Sequence, residues 1–430
     1  MYKKITTTLL LIISQLSIFA QNTITTDSLD SYINNAIKEY YFPGAQIIIG
    51  NKSDILYSKH YGYLDYSKQE AVDDKTLFDI ASCTKVCATT LAVMTLIDQG
   101  RLSLRDQVGD LLNLSDTLQF RDVRVEEFLY HTSGFPSGVS VALSLVKPLD
   151  EKEELALSKK KSKAFPYLYD KNYYAAKDIV YDSLYISGQA GSDKIQITKQ
   201  LYLDKSYHTK LDSMIHASFR PERRGQHIYS DLSFYFLQQI VEQVTSMPLD
   251  KYVAQIYAKM ELNNIGYNPL EWSERSRIAP TENETLFRRD SIRGIVHDDM
   301  ACVLGGVCGN AGLFATASDV AQIAAMFLCE GSDRQGRTIV SPETVEKFTQ
   351  HVRSGGSIYA LGFTKVDSKK LPYTPESYGH TGYTGTFMWI DPEREIYVVL
   401  LTNRVHPARA NKKFDSQYRG NIWQIANSIF

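Results

Sequence analysis

Three short segments, far apart in the chain, hold residue types that could carry out nucleophilic chemistry. In the first, Ser82 stands three residues before Lys85. A β-type run ends at Ser82 and an apolar helical periodicity follows, so both side chains lie on one face of a predicted helix. A serine hydroxyl becomes a nucleophile when a neighbour takes its proton, and we expect burial and the positive helix end to lower the pKa of Lys85 far below about 10.4. The alternative is that Ser82 only caps the helix.

The second segment contains Tyr229 and Asp231, just before an apolar helical stretch at residues 234–244. A tyrosine at a helix entrance could relay a proton, and Asp231 could receive a substrate amide or hold Lys85. In the alternative interpretation, Tyr229 is an ordinary core aromatic residue and Asp231 is the helix N-cap.

The third segment is rich in glycine and runs through His380, Thr381, Gly382 and Tyr383 into a predicted strand. Glycine lets a substrate backbone lie against the strand edge, while His380 and Thr381 offer polar contacts. The helix start and this strand could each supply a backbone N–H group to a developing oxyanion. A simple turn is the alternative.

The elements that must position these segments come from both ends of the chain. Two hairpins are predicted, at residues 46–63 and 386–402, and an amphipathic helix follows at the C-terminus. The middle, about 77–345, is mostly helix and loop. We therefore predict an α/β (α+β) fold, in which an antiparallel sheet flanked by helices is built from about 21–76 and 346–430, with a mainly helical domain inserted between them.

Residues 145–215 interrupt this pattern with runs of glutamate and lysine and with eight tyrosines. One interpretation is a solvated, partly helical excursion that covers the core. The other is a lid whose tyrosines line a groove for a sugar or peptide ligand, because so many aromatic side chains are costly to leave in water.

The overall composition excludes one class of partner. The 430 residues include 47 Lys and Arg against 49 Asp and Glu, a net charge of −2. Such a balanced chain has no field that would gather nucleic acid. The five cysteines are an odd number and do not indicate a disulfide framework, and the histidines and cysteines match no zinc spacing, so we predict no metal and no cofactor.

The first twenty residues have the pattern of a secretory signal. Lys3 and Lys4 precede a short apolar run that ends in a small residue, Ala20. We expect residues 1–20 to be removed and the protein to be exported, to the periplasm or beyond it. A retained N-terminal anchor is the alternative. No later stretch reads as long and apolar enough to cross a membrane.

Taken in order, Ser-x-x-Lys, Tyr-Ser-Asp and His-Thr-Gly resemble the three active-site elements of the serine β-lactamase and penicillin-binding protein superfamily. The similarity is greatest to class C β-lactamases, DD-peptidases and related esterases. Residues 129–136 and 304–314 extend it, and the latter block, with 296–299, resembles the penicillin-binding protein 4B branch and β-lactamase-like modules of Bacteroidetes. The resemblance covers one hydrolase domain, 21–430, apart from the 145–215 region.

The resemblance implies a role for each matching residue. Ser82 would be the acylated nucleophile, Lys85 its activating partner and Tyr229 the proton relay that serves the leaving group. The backbone N–H groups of Ser82 and Tyr383 would form the oxyanion hole. The other matching residues would bind the substrate: Asp231, His380, Thr381 and Gly382.

Two residues depart from the family pattern. Asp231 stands where most relatives have asparagine, and His380 stands where efficient β-lactamases have lysine, which replaces a permanent charge with one expected to titrate near neutrality. Both changes weaken attraction for a substrate carboxylate, so antibiotic hydrolysis is not the expected main activity. His131 and Asn310 lie in matching blocks and are typical of loop residues that tie backbone turns in place. His297 and Arg404 have no predicted role.

We therefore expect an exported serine hydrolase that forms an acyl-enzyme on an amide or ester bond. The main substrate candidate is a peptidoglycan-type peptide, cleaved by a DD-carboxypeptidase or endopeptidase reaction. An esterase or a weak class C-like β-lactamase is the alternative within this chemistry. A module that binds muropeptides or a partner without turnover is the alternative of another class. The sequence leaves the oligomeric state open.

Overall fold

The computed structural model describes residues 25–150, 152–354, 357–365, 373–411 and 413–430. The predicted secretory signal, residues 1–20, lies outside the described residues.

A five-stranded antiparallel sheet joins the two ends of the chain. Its strands, in chain order, are β1 (Gly44–Asn51), β2 (Ile55–Gly62), β3 (Tyr378–Gly382), β4 (Thr386–Asp391) and β5 (Ile396–Thr402). They lie in the order β3-β4-β5-β1-β2. Strand β1 pairs with β5 from Ala45 opposite Thr402 to Asn51 opposite Ile396. Both predicted hairpins are therefore confirmed, and they merge into one sheet as expected.

Apart from the exposed edge strand β2, the sheet is buried on both faces, and its side chains alternate between two cores. Ile47 and Ile49 of β1 pack in one core with the terminal helices Thr26–Lys38 and Ser416–Ile429. Ile48 points to the other core, which also contains the helix Ala317–Leu328. The sheet thus separates a layer of terminal helices from the larger, central part of the chain.

The central part is mainly helical, as predicted. Short elements connect its helices: a three-stranded sheet of Phe78–Asp79, Phe314–Ala315 and Ile265–Gly266, a hairpin of Val352–Ser354 and Ser357–Tyr359, and 3₁₀ turns at Pro221–Arg223, Pro269–Glu271 and Arg275–Arg277. The remaining helices are Val108–Leu111, Val125–Leu129, Val141–Leu145, Tyr207–Ala217, Asp231–Thr245, Leu249–Lys259, Asp299–Val303 and Pro342–Thr349.

One helix runs through the middle of this domain from Ala81 to Asp98, and we call it the nucleophile helix because it carries Ser82, the nucleophile predicted from the sequence. It starts as a 3₁₀ turn at Ala81–Cys83, continues as π-helix over Lys85–Thr90 and ends as α-helix over Leu91–Asp98. Its 18 residues have a mean hydropathy of 1.2, which by length and composition would suffice to cross a membrane, contrary to our expectation. However, 83% of it is buried inside the protein, as in the core helix of a globular domain.

Strands supply most of the regular structure in residues 145–215, the region that we predicted to be partly helical. Between residues 146 and 204 it forms three small antiparallel sheets, which we call the insertion; a helix follows only at Tyr207–Ala217. The paired strands are Val146–Pro148 with Ile179–Tyr181; Leu157–Ser158 and Tyr167–Asp170 on either side of Tyr173–Ala175; and Lys194–Gln196 and Ile186–Ser187 on either side of Tyr202–Asp204. The tyrosines of this region favour strands as well as being aromatic, which is consistent with the observed β-structure.

Candidate active site

The start of the nucleophile helix is held by a buried carboxylate. The backbone N–H group of Ala81 donates to Oδ1 of Asp79 at 2.8 Å, and that of His297 donates to Oδ2 at 2.7 Å. Ala81 has φ +46°, a left-handed conformation that costs a non-glycine residue on the order of 1–3 kcal/mol. Asp79 therefore fixes a strained turn directly before Ser82.

Lys85 is fully buried, and all three of its N–H bonds have an acceptor. Its Nζ atom donates to Oγ of Ser82 at 3.0 Å, to Oδ1 of Asp231 at 2.6 Å and to the backbone oxygen of Asn310 at 3.2 Å. Burial alone would lower the pKa of Lys85, but the Asp231 carboxylate outweighs it and raises the pKa above its ordinary value. Our expectation of a lowered pKa is thus wrong, because it took no account of this carboxylate.

The second segment presents Asp231 to Lys85 because a neighbour performs the capping. Ser230, not Asp231, is the N-cap of the helix Asp231–Thr245, and its hydroxyl accepts from the Ser233 N–H group at 3.2 Å. The backbone N–H group of Ser230 donates to Nδ1 of His131 at 3.0 Å. His131 therefore ties this turn in place, and the Asp231 carboxylate is free to pair with the lysine.

Tyr229 lies over the same amine. Its ring centroid is 4.9 Å from Nζ of Lys85, a cation–π distance, and 4.7 Å from the ring of His131. Burial raises the pKa of the Tyr229 phenol, and the nearby Lys85 ammonium only partly offsets this. At neutral pH, Tyr229 is consequently a protonated phenol that can donate a proton.

The third segment is fastened to the first by two threonines. The Thr386 hydroxyl donates to the Ile80 carbonyl at 2.9 Å, and the Thr384 hydroxyl donates to the Asp79 carbonyl at 2.7 Å. The contact is so close that a Cβ atom on Gly382 would lie 2.5 Å from the Ile80 oxygen. Glycine is required here to bring β3 against the helix start.

His380 does not behave as the sequence suggested. Its residue surface is only 2% exposed, and Nδ1 contacts the Thr381 carbonyl at 2.9 Å. Burial, and then the positive charge of Lys85, lower the pKa of His380 to about 3. The histidine is therefore neutral at physiological pH, and the expectation that it titrates near neutrality is wrong because it took no account of burial.

A cleft of about 650 Å³ opens beside Ser82. Of the predicted site residues, four line it: Ser82, Tyr229, Asp231 and Tyr383. Lys85 does not line the cleft and is connected to it through its hydrogen bonds to Ser82 and Asp231. Three predicted residues of β3 are also not among the lining residues: His380, Thr381 and Gly382. Asn310, interpreted from the sequence as a loop residue, does line the cleft.

A charged network that the sequence did not reveal forms one wall of the cleft. Glu282 accepts hydrogen bonds from Nε2 of His297 at 2.8 Å and from Nε of Arg409 at 2.9 Å. Burial alone would raise the pKa of Glu282, but these two partners lower it to about 2. On its other side, Arg409 donates to the Tyr169 hydroxyl of the insertion at 2.7 Å. Glu282, Tyr169 and Arg409 lie in no motif and are each more than 100 residues from the next, so no local sequence pattern could have joined them.

The two residues without a predicted role hold Tyr383. The Arg404 guanidinium donates to the Tyr383 carbonyl at 2.8 Å and lies 4.6 Å from the centre of its ring. The ring of His297 stacks on Tyr383 at 5.6 Å. Both residues thus position the strand end that faces Ser82.

The cleft has an excess of acidic groups. Four aspartates line it: Asp170, Asp231, Asp298 and Asp299. Among the lining residues that the structure describes, Arg409 is the only arginine or lysine. Burial, and then repulsion from Asp231, raise the pKa of Asp298. Within the described part of the chain, no group of three or more His, Cys, Asp or Glu residues could hold a metal ion.

Comparison with known proteins supports the resemblance. The family model described as Beta-lactamase matches residues 29–159 and 188–418. An N-acetylmuramyl-L-alanine amidase of Bacillus subtilis is 29% identical over 85% of this chain and 78% of its own length. A Salmonella enteritidis protein with the provisional name D-alanyl-D-alanine carboxypeptidase is 28% identical over 90% of this chain and 84% of its own.

Solved structures give the same fold. The octameric penicillin-binding protein homologue from Pyrococcus abyssi superimposes with a TM-score of 0.60 at 20% identity, covering 88% of this chain and 73% of that one. A class C β-lactamase from Rhodobacter sphaeroides gives a TM-score of 0.61 at 15% identity, covering 93% and 98%. The predicted fold class is therefore confirmed.

The burial of neutral His380 predicts a loss of stability in acid. The unfolded chain binds a proton at this histidine below pH about 6.5, whereas the folded chain resists protonation until about 3. The contribution of His380 to the free energy of unfolding is thus fully present above pH 6.5 and falls as the pH decreases. Between pH 7 and pH 5, we expect wild type to lose about 2 kcal/mol more unfolding free energy than His380→Asn, measured in urea. His60→Asn, on the exposed strand β2, is the matched control, and equal losses in all three proteins would contradict the prediction.

Proposed function

The chain belongs to the β-lactamase family of serine hydrolases, and on that premise we propose that Ser82 attacks peptide bonds of peptidoglycan and forms an acyl-enzyme. The observation that carries the proposal is the line of contacts from the Ser82 hydroxyl through Lys85 to Asp231, at 3.0 Å and 2.6 Å, beside an open cleft. A hydroxyl, an amine and a carboxylate in this order can move a proton away from the nucleophile.

In the proposed first step, Oγ of Ser82 forms a bond to the substrate carbonyl carbon. Its proton passes to Nζ of Lys85, while Lys85 gives one of its own protons to Asp231. The lysine ends with the charge it began with, and the carboxylate becomes neutral. Asp231 is therefore the final proton acceptor, which suits a lysine whose pKa is raised and which is not a free base at neutral pH.

In the second step, the bond to the leaving group breaks. The Tyr229 phenol donates its proton to the departing amine or alcohol and regains one from Asp231 through Lys85. The acyl group remains on Ser82 until a water molecule attacks it, and the same groups then transfer protons in the reverse direction. The raised pKa of Tyr229 supports its role as the donor, because it keeps the phenol protonated at neutral pH.

The oxyanion that forms in both steps needs donors on the opposite side. We assign this role to the backbone N–H groups of Ser82 and Tyr383, both of which line the cleft. The bonds from Thr384 and Thr386 to the segment before Ser82 keep the two donors at a fixed separation. Strand β3, which leads to Tyr383, contains His380, Thr381 and Gly382. In this proposal they hold the strand in place and supply no positive charge to the substrate.

The charges of the cleft indicate which bonds it would accept. His380 is neutral, Lys85 is paired with Asp231, and Arg409 is paired with Glu282. Among the described residues that line the cleft, no unpaired cation therefore faces a carboxylate next to the scissile bond, and the lining aspartates repel such a carboxylate. An internal peptide bond, as in an endopeptidase reaction, or an ester fits better than a C-terminal residue or a β-lactam.

The names of the relatives support peptidoglycan as the source of the substrate. An N-acetylmuramyl-L-alanine amidase and a provisional D-alanyl-D-alanine carboxypeptidase both take their names from bonds of its peptide stems. Such a substrate lies outside the cytoplasm. The proposal therefore includes export directed by residues 1–20, whose removal N-terminal sequencing of the mature protein would test.

A labelling experiment tests the nucleophile. We expect a fluorophosphonate to add to Ser82 in the native protein, as seen by mass spectrometry of the digested peptide, because the site activates this hydroxyl. Ser82→Ala should show no adduct and should lose ester hydrolysis by at least roughly 10³-fold. Folding of the variant is checked by its melting temperature. Native protein without an adduct under any condition would indicate a module that only binds.

A pair of matched peptides tests the charge argument. An acylated peptide that ends in D-Ala-D-Ala should be cleaved roughly tenfold more slowly, in kcat/KM, than the same peptide with a C-terminal amide, because the aspartates repel the free carboxylate. The difference should shrink in 1 M salt, which screens exposed charges. Faster cleavage of the free acid would support a carboxypeptidase instead.

The role of Asp231 predicts a change in pH dependence. In Asp231→Asn, kcat/KM at pH 7 should fall roughly 10²- to 10⁴-fold, because the final proton acceptor is absent. Without the carboxylate, burial lowers the pKa of Lys85, so the amine becomes a free base as the pH rises. The variant should thus recover activity between pH 7 and pH 10, whereas wild type should not rise. Asp170→Asn, in the same cleft but without a contact to Lys85, is the control, and an unchanged profile in Asp231→Asn would contradict the relay.

A further inference from the structure

One sheet of the insertion carries a charge opposite to that of the chain. Residues 157–177 contain six lysines and one carboxylate, while the whole protein has a net charge of −2. All six lysines are exposed: Lys159, Lys160, Lys161, Lys163, Lys171 and Lys177. None forms an ion pair with a residue that the structure describes. We call this element, 157–177, the lysine sheet.

The lysine sheet also exposes large apolar side chains. Tyr167 is 43% exposed, Leu168 45% and Tyr173 41%. Nζ of Lys159 lies 5.9 Å from the centre of the Tyr173 ring, so a cation and an exposed aromatic ring of this sheet are neighbours. Exposed apolar groups on one small element are typical of an interaction site.

The same sheet reaches the catalytic cleft. Leu157, Tyr169 and Asp170 line the cleft, and Arg409 holds the Tyr169 hydroxyl at 2.7 Å. The Arg289 guanidinium fixes the end of the central strand, Tyr173–Ala175, by donating to the carbonyls of the next two residues, Ala176 at 2.6 Å and Lys177 at 2.8 Å. These hydrogen bonds hold the lysine sheet at a fixed position relative to the cleft.

We propose that the lysine sheet binds the anionic polymer to which the substrate peptides are attached. The proposal rests on the proposed function and extends it from the bond cleaved to the polymer recognised. Peptidoglycan has the required chemistry, because its peptide stems carry free carboxylates for the lysines and its sugar faces can stack on tyrosine rings. The acidic cleft receives the scissile bond, and the basic surface receives the carboxylates that the cleft repels.

The position of the surface favours a polymer over a membrane. Residues of a single small sheet line the cleft and carry the lysines, so a ligand that contacts both must bend around the sheet edge. A flexible chain can follow that path, whereas a flat bilayer that covers the lysines would not extend into the cleft. Binding to an anionic membrane is therefore an outcome of the test and not the proposal.

Co-sedimentation with purified, insoluble peptidoglycan sacculi tests the proposal. The protein carries Ser82→Ala so that turnover does not release it. We expect binding that weakens with added salt, and roughly tenfold weaker binding after Lys159→Glu, Lys160→Glu and Lys161→Glu together. The matched control reverses three exposed lysines elsewhere, Lys38→Glu, Lys68→Glu and Lys347→Glu, and should bind within about twofold of the parent.

Two further measurements keep the outcomes separate. With Ser82 present, the lysine-sheet variant should hydrolyse a small p-nitrophenyl ester at the parental rate, which shows that it is folded and that its cleft is intact. Equal loss of sacculus binding in the control variant, or no loss in either, overturns the proposal. Binding to phosphatidylglycerol vesicles but not to sacculi also overturns it. If sacculi bind through the lysines but Ser82 accepts no fluorophosphonate, the surface is supported and the proposed hydrolysis fails.

Discussion

The ion pair between Lys85 and Asp231 is the constraint on which the rest of the site depends. A buried ammonium is costly unless each of its N–H bonds finds an acceptor. The three acceptors come from three parts of the chain: the nucleophile helix, the turn after Tyr229 and the loop at Asn310. Satisfying this one cation therefore brings the helix, the turn and the loop to a single point, with the Ser82 hydroxyl among them.

The sequence predicted the parts that local patterns determine. The Ser-x-x-Lys spacing correctly placed Ser82 and Lys85 in contact, and the alternating apolar residues correctly placed both hairpins in one sheet. Protonation states could not be predicted in the same way, since they depend on neighbours from distant segments. The pKa of Lys85 follows from a carboxylate that is available only because Ser230 caps the helix in its place. The cleft wall built by Glu282, Tyr169 and Arg409 likewise exists only after folding.

The molecule separates its charges by depth. Cations near Ser82 are buried and paired, aspartates line the cleft, and six exposed lysines without an ion pair to a described residue lie on the outer sheet of the insertion. A near-neutral total charge conceals this arrangement, which is why composition alone could not reveal it.

The π-helical segment Lys85–Thr90 separates two requirements of the nucleophile helix. Its wider hydrogen-bonding pattern accommodates one residue more than an α-helix would over the same length. Each residue of an α-helix turns the following side chains by about 100°, so the segment sets an angular offset between Ser82 and the apolar face at Leu91–Asp98. Packing against the core can therefore determine the rotation of the α-helical half, while the contacts of the site determine the rotation of the half that carries Ser82.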